Sequence, residues 1–267
     1  KMLNQPFLLL GGIAGDIIGS VYEKHNIKTK DFPLFIERSI FTDDTVMTIA
    51  VANKLLQGNG SYIKELQDFG RRFPRAGYGG DFKKWLFSDN PKPYGSYGNG
   101  SAMRVSPVGY AFNKIADVWL EAEKSAEITH NHPDGIRGAV AIASAVYLAR
   151  KGSSKQEIKD YIEAKFNYNL SRTLDEIRPI YNFDISCQGS VPEAIISFLE
   201  STDFESSVRN AVSIGGDSDT VASISGALAE AFYKEIPENI KQEVLKRLPD
   251  DLLKVLINFT SKYQFKS

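Results

Sequence analysis

Residues 45–56, TVMTIAVANKLL, place apolar side chains at Val46, Ile49, Ala50, Leu55 and Leu56, close to a 3.6-residue repeat. That period predicts a helix beginning near Val46. It recurs at 117–128, 138–150, 190–199, 206–214, 220–233 and 250–263. The 138–150 stretch, GAVAIASAVYLAR, is built from small residues and suits a helix packed closely on its neighbours, with Lys151-Gly152 as its stop. No run of alternating β-branched residues stands between hairpin turns, so the expected fold class is all-α. No solenoid-length repeat and no long polar spacer divides the chain, so a single domain over 1–267 is expected.

The composition narrows the function classes. The chain has 267 residues, 42% hydrophobic and 24% charged, enough to bury a sizeable core. Lys+Arg number 32 against 33 Asp+Glu, a formal net charge of −1, so there is no strong nucleic-acid signal and no pull toward an anionic membrane. One cysteine, Cys187, excludes an internal disulfide and a four-thiolate zinc site, and fits a reducing, cytoplasmic setting. No apolar run reaches the roughly 18–20 residues of a membrane span. Residues 7–15, FLLLGGIAG, imitate a secretory signal core, but Asp16 interrupts them and no cleavage site follows. Lys1-Met2 reads as one extra residue ahead of a start methionine. A monomer is the default expectation.

Immediately before the opening helix stands Thr42-Asp43-Asp44-Thr45, and Asp217-Ser218-Asp219-Thr220 stands before the helix expected from Thr220. Helix capping explains one oxygen at each entrance, since Asp, Ser and Thr accept bonds from free N–H groups. The second, adjacent carboxylate adds repulsion without serving the same donor, and Gly215-Gly216 lets the backbone approach something closely. Four carboxylates with hydroxyls, brought together by folding, would make a hard-oxygen cage suited to Mg²⁺, Mn²⁺ or Ca²⁺ rather than zinc or copper. Gly15-Asp16-x-x-Gly19-x-x-x-Glu23 adds a third acidic element, with Asp16, Gly19 and Glu23 on one helical face.

Two glycine-rich loops interrupt the helices. Residues 94–104, YGSYGNGSAMR, alternate flexible backbone with hydroxyls, and read either as an anion-binding nest or as a plain surface loop. They lack the Lys-Ser/Thr ending of a nucleotide-hydrolase phosphate loop. Residues 129–135, THNHPDG, have no zinc spacing. They read equally as a polar turn with Pro133 opening the next helix and as a histidine donating to a ligand phosphate or ribose.

Together, GDIIGSVYE (15–23), FTDDT (41–45), GYGG (77–80), GSYGNGSAMR (95–104), TH (129–130) and GGDSDT (215–220) resemble, in order, the motifs of the ADP-ribosylglycohydrolase family. That family includes the glycohydrolase that reactivates ADP-ribosylated dinitrogenase reductase. The resemblance runs from about Gly11 to Tyr233, with Ser218 where many members carry another small residue. It implies a compact orthogonal multi-helix bundle with two Mg²⁺ ions, or Mn²⁺, in a cleft. By motif, Thr42, Asp43, Asp44, Asp217, Asp219 and Thr220 look like the metal ligands. Glu23 looks like a mobile glutamate at the metal, and Asp81 like a catalytic aspartate of the nitrogenase-linked branch. Asp43, Asp44, Glu23 and Asp81 form the catalytic set, with Asp44, Glu23 and Asp81 as unranked general bases. Gly79, Gly80, Gly95, Ser96, Tyr97, Gly98, Asn99, Gly100 and His130 look like substrate contacts. The implied reaction is hydrolysis of the C1″ bond of ADP-ribose on a protein or small-molecule acceptor. A metal-dependent phosphohydrolase, a non-catalytic ADP-ribose binder and a metal-free two-carboxylate glycosidase are the alternatives.

Overall fold

Ser218–Tyr233 is the helix around which the others are arranged, and every residue from Ser218 to Ala231 is buried. The computed structural model describes residues 6–264, so the Lys1-Met2 start lies outside the described residues. In chain order the helices are α1 (Leu10–Gly19), α2 (Asp43–Leu56), α3 (Tyr62–Arg72), α4 (Gly80–Leu86), α5 (Gly100–Met103), α6 (Ser106–Ala111), α7 (Ile115–Glu127) and α8 (Pro133–Arg150). Then follow α9 (Lys155–Phe166), α10 (Leu174–Ile177), α11 (Cys187–Leu199), α12 (Phe204–Ser213), α13 (Ser218–Tyr233), α14 (Glu238–Leu245) and α15 (Asp250–Tyr263). Among the described residues the one β-type contact is an isolated antiparallel bridge between Gly98 and Ser186. The expected all-α class is what the chain adopts.

Apart from α15, which starts at Asp250 as expected, the helices begin ahead of their expected starts. α2 begins at Asp43 rather than near Val46, because Thr42 accepts the Asp44 N–H and the acidic first turn is already helical. α8 begins at Pro133 and α11 at Cys187, ahead of 138 and 190. First turns are polar or carry proline, so apolar periodicity does not report them.

α1, α8, α11 and α12 all pack on α13. The approach of α1 is closest: a Cβ on Gly15 would lie 2.0 Å from the Ala222 carbonyl oxygen, and one on Gly19 2.6 Å from that of Ser218. Glycine at these positions removes the side chains that would hold the two backbones apart. This contact carries Asp16 to the start of α13. α2 is wedged between α3 and α15, with its N-terminal end turned to the same place. Buried apolar side chains from Phe7 to Tyr263 form one connected cluster beneath these helices. No helix among the described residues is long and apolar enough to cross a membrane.

Candidate metal centre and ligand cleft

At the entrance to α2, capping and clustering turn out to be one arrangement. The Thr42 hydroxyl accepts the Asp44 N–H at 3.3 Å, and also lies 2.6 Å from Asp16 Oδ1, 3.0 Å from Asp44 Oδ1 and 3.2 Å from Asp219 Oδ2. A hydroxyl has one hydrogen, so it can donate to one of these three carboxylates at a time. The remaining close oxygen–oxygen contacts call for a proton or a cation. Asp16 itself is fully engaged, accepting from the Thr42 N–H and hydroxyl and from the Thr45 N–H and hydroxyl at 2.6–3.2 Å. It therefore locks the first turn of α2 onto α1.

At the entrance to α13, capping does not explain the pair. Asp217 occupies the cap position but makes no side-chain capping bond; its Oδ2 instead accepts from Asn99 Nδ2 at 2.9 Å. Gly215 and Gly216 hold φ of +77° and +74°, the left-handed region that favours glycine. Asn26 clamps the loop by accepting the Gly216 N–H and donating to the Gly216 carbonyl. The close approach that Gly215-Gly216 suggested is real: a Cβ on Gly216 would lie 2.3 Å from the Tyr181 ring.

Carboxylate oxygens of Asp16, Asp44 and Asp219 lie within 4.8 Å of one another, and so do those of Glu23, Asp217 and Asp219. Asp219 belongs to both sets. Asp43 falls outside both, yet lines the same cleft. No ion pair among the described residues involves any of the five aspartates. Burial, then the charges of Asp16, Asp217 and Glu23, pushes the Asp43 carboxyl well above the ordinary carboxylate range. Asp44 is pushed the same way by burial and by Asp16, Asp43 and Asp217, and Asp219 by burial and by Asp44, Asp217 and Asp16. Asp16 rises to about 6 through burial, opposed by its Thr42 and Thr45 hydrogen bonds. Glu23 is raised by burial and by Asp217. Asp44 Oδ2 is buried without a partner. An all-oxygen set with an orphaned carboxylate atom and no internal cation fits hard divalent ions.

The cleft over this cluster holds about 300 Å³ and is lined by Glu23, Asp43, Asp44, Asp217, Asp219 and Thr220 on one side. Gly79, Gly80, Asp81, Ser96, Gly98, Asn99, Gly100 and His130 supply much of the rest. Of the expected substrate contacts, Gly95 and Tyr97 lie outside this lining, both exposed. The donors of their loop are interrupted. The N–H groups of Gly95, Gly98 and Asn99 are taken by Asn131 Oδ1, Ser96 Oγ and the Ile185 carbonyl, so the loop does not present one unbroken run of free donors from 95 to 100. The Asn99 side chain turns inward to Asp217 and Ser190. A larger cavity elsewhere, about 690 Å³ and lined by Phe7, Tyr110, Glu230 and Lys234, offers neither clustered aspartates nor a glycine loop.

A family model for ADP-ribosylglycohydrolases matches residues 8–263. The chain belongs to the ADP-ribosylglycohydrolase family. It is 29% identical to the ADP-ribosylhydrolase ARH3 of Xenopus tropicalis, over 87% of this chain and 88% of that protein. With ARH3 of Homo sapiens the identity is 28%, over 88% and 87%. The ADP-ribosylarginine hydrolase Tri1 of Pseudomonas putida (strain GB-1) is 24% identical, over 84% and 69%. Among solved structures, a chain of an ADP-ribosylglycohydrolase-related protein complex matches with a TM-score of 0.71 at 24% identity, covering 97% of this chain and 98% of that one. At that identity the likeness speaks for the shared fold.

Sequence reasoning passed over Arg104, Thr45, Phe183 and Ile185. Phe183 and Ile185 are exposed apolar residues at the cleft wall, and nothing periodic marks them. Arg104 stands at the end of the quoted glycine-loop motif but is almost wholly buried, which charge alone does not suggest. Thr45 could have been found from its neighbour: it directly follows the two aspartates and bonds Asp16.

Proposed function

We propose that this cleft binds the ADP-ribosyl group and hydrolyses the bond from its C1″ carbon to an acceptor atom on a protein side chain or small molecule. Water adds to C1″, the bond to the acceptor breaks, and the acceptor leaves with a proton as ADP-ribose is released. The observation that carries this reading is the Thr42 hydroxyl pressed against three carboxylates, two of which, Asp44 and Asp219, line the same cleft as His130, Ser96, Gly98, Asn99 and Gly100. Thr42, Asp43, Asp44, Asp217, Asp219 and Thr220 would hold two Mg²⁺ ions, or Mn²⁺ in their place. When bound, such cations supply Lewis-acid charge and lower the pKa of water.

The chain's own groups divide the rest of the work. Asp16 and Asn26 fix the two acidic entrances, through the Thr42–Thr45 turn and the Gly216 backbone. Glu23, Asp44 and Asp81 are the carboxylates able to accept the proton of the attacking water, and burial raises the proton affinity of the first two. Ser96, Gly98, Gly100 and His130 face the diphosphate and ribose, so binding far from C1″ orients the reacting end.

Product analysis tests the reading. An ADP-ribosylated peptide incubated with the protein and Mg²⁺ should yield intact ADP-ribose, with turnover lost on chelation and regained on adding Mg²⁺ or Mn²⁺. AMP with ribose phosphate would make it a phosphohydrolase instead. Tight binding of ADP-ribose without turnover of arginine-, serine- or acetyl-linked substrates would make it a binding protein.

A further inference from the structure

His130 is buried, and its two ring nitrogens face different surroundings. Nδ1 lies 2.6 Å from the Thr129 hydroxyl oxygen. The same oxygen accepts from Arg104 Nη2 at 2.9 Å, while that guanidinium nitrogen also donates to the Ser125 carbonyl at 2.7 Å. A guanidinium only donates, so Thr129 Oγ1 must accept there. The threonine has one hydrogen to give, and the acceptor in range of it among the described residues is Nδ1. That nitrogen therefore presents its lone pair, and the single proton of a neutral imidazole sits on Nε2. Protonating both nitrogens would make the Thr129 oxygen accept twice and turn its own hydrogen away from its partner.

On the other edge, Nε2 lies beneath the glycine loop. A Cβ on Gly100 would approach it to 3.1 Å, and one on Gly98 to 3.7 Å. Both glycines line the cleft with His130, so the missing side chains leave Nε2 open to whatever the cleft holds. Burial and the Arg104 charge both hold the ring well below the usual histidine range, in the direction of the neutral form. His132, two residues on, is occupied differently: its Nδ1 accepts the Asp134 N–H at the start of α8.

We propose that Arg104 and Thr129 form a relay fixing His130 as a neutral donor whose Nε2–H reaches an acceptor oxygen, phosphate or ribose, of the bound ligand. The identity of that ligand rests on the cleft being the ADP-ribose site; the relay does not. Arg104 and Thr129 are positioning residues: Thr129 lies outside the cleft lining and acts through the ring, and Arg104, at the cleft wall, holds the Thr129 oxygen.

Nitrogen-15 NMR of histidine-labelled protein reads the tautomer directly. Three histidines are present, and the signal lost in His130→Gln assigns the ring. The wild type should show protonated Nε2 and bare Nδ1 at pH 6.5 and above. Thr129→Val should release the ring into a mixture of tautomers and weaken ADP-ribose binding, titrated with Mg²⁺ present, by about three- to tenfold. Thr129→Ser should restore both. A wild-type ring protonated on Nδ1, or a Thr129→Val ring unchanged in tautomer, overturns the relay. The wild-type spectrum decides this even if the valine variant unfolds. Failure of ADP-ribose to bind the wild type would overturn the ligand assignment while leaving the tautomer result standing.

Discussion

The two ends of α2 bury carboxylates in opposite ways. Near its C-terminal end, Lys54 lies 2.7 Å from Glu121 of α7, and the Tyr62 hydroxyl of α3 donates to the same oxygen at 2.8 Å. Burial pushes the Glu121 carboxyl up, but the hydrogen bonds from Lys54 and Tyr62 and the Lys54 charge outweigh it and hold it below its ordinary range. At the N-terminal end, Asp43 and Asp44 meet Asp16, Asp217 and Asp219 with no such cation, and burial together with like charge drives Asp43, Asp44 and Asp219 far upward. A buried charge that the chain neutralises itself is architecture. One left uncompensated is costly to keep, and is retained where something from outside completes it.

The sharpest break of this comparison is Asp219→Asn. It removes the carboxylate common to both acidic sets, so turnover of an ADP-ribosylated peptide in saturating Mg²⁺ should fall by roughly a hundredfold or more. The cation-free protein should melt no lower than the wild type, because a mutually repelling charge has gone. Full turnover, or a large loss of stability without cations, would mean that the cluster is structural. At the other end, Glu121→Ala should do the reverse. It strands Lys54 in a nearly closed site and should cost about 3 kcal/mol of stability in a melting or denaturant experiment. The kcat/KM of the folded fraction should stay within about twofold, since separated sites act independently. A matching loss of activity would tie the two ends together.

How much of this was legible beforehand depended on what each feature needed from the fold. The helices of the second half and the acidic entrances lie in short stretches of sequence, so period and composition report them. The link between Asp44 and Asp219 spans the chain, and it is made by the tight α1–α13 contact at Gly15 and Gly19. The sequence placed Gly19 on the acidic face beside Asp16 without naming what packs against it. Loop detail was least legible. Whether the N–H of Asn99 is free depends on the Ile185 carbonyl 86 positions later, and no local pattern encodes that pairing. Arg104 illustrates the same point, since charge predicts exposure and only its Ser125 and Thr129 partners explain its burial.

The smallest predicted effect separates the two ends by pH. Acids whose folded pKa is raised bind more protons folded than unfolded, so their contribution to stability is lost as pH rises through the folded value. Asp43, Asp44 and Asp219 have this sign, as does Asp16 with its value near 6. Glu121 is depressed, so what it contributes is complete above the unfolded carboxylate range and constant at neutral pH. His130, held low, costs stability only as pH falls below the unfolded histidine value near 6.5. Between pH 6.5 and 8.5, then, the chelated protein should lose stability, read as a falling melting temperature. Glu230, buried and raised to about 8, adds to the same slope, so the measurement belongs in a Glu230→Gln background. There, saturating Mg²⁺ should flatten the slope by supplying the charge that protons otherwise provide. A chelated protein that gains stability toward pH 8.5, or a slope indifferent to Mg²⁺, would mean that the aspartates are already compensated from within, as Glu121 is.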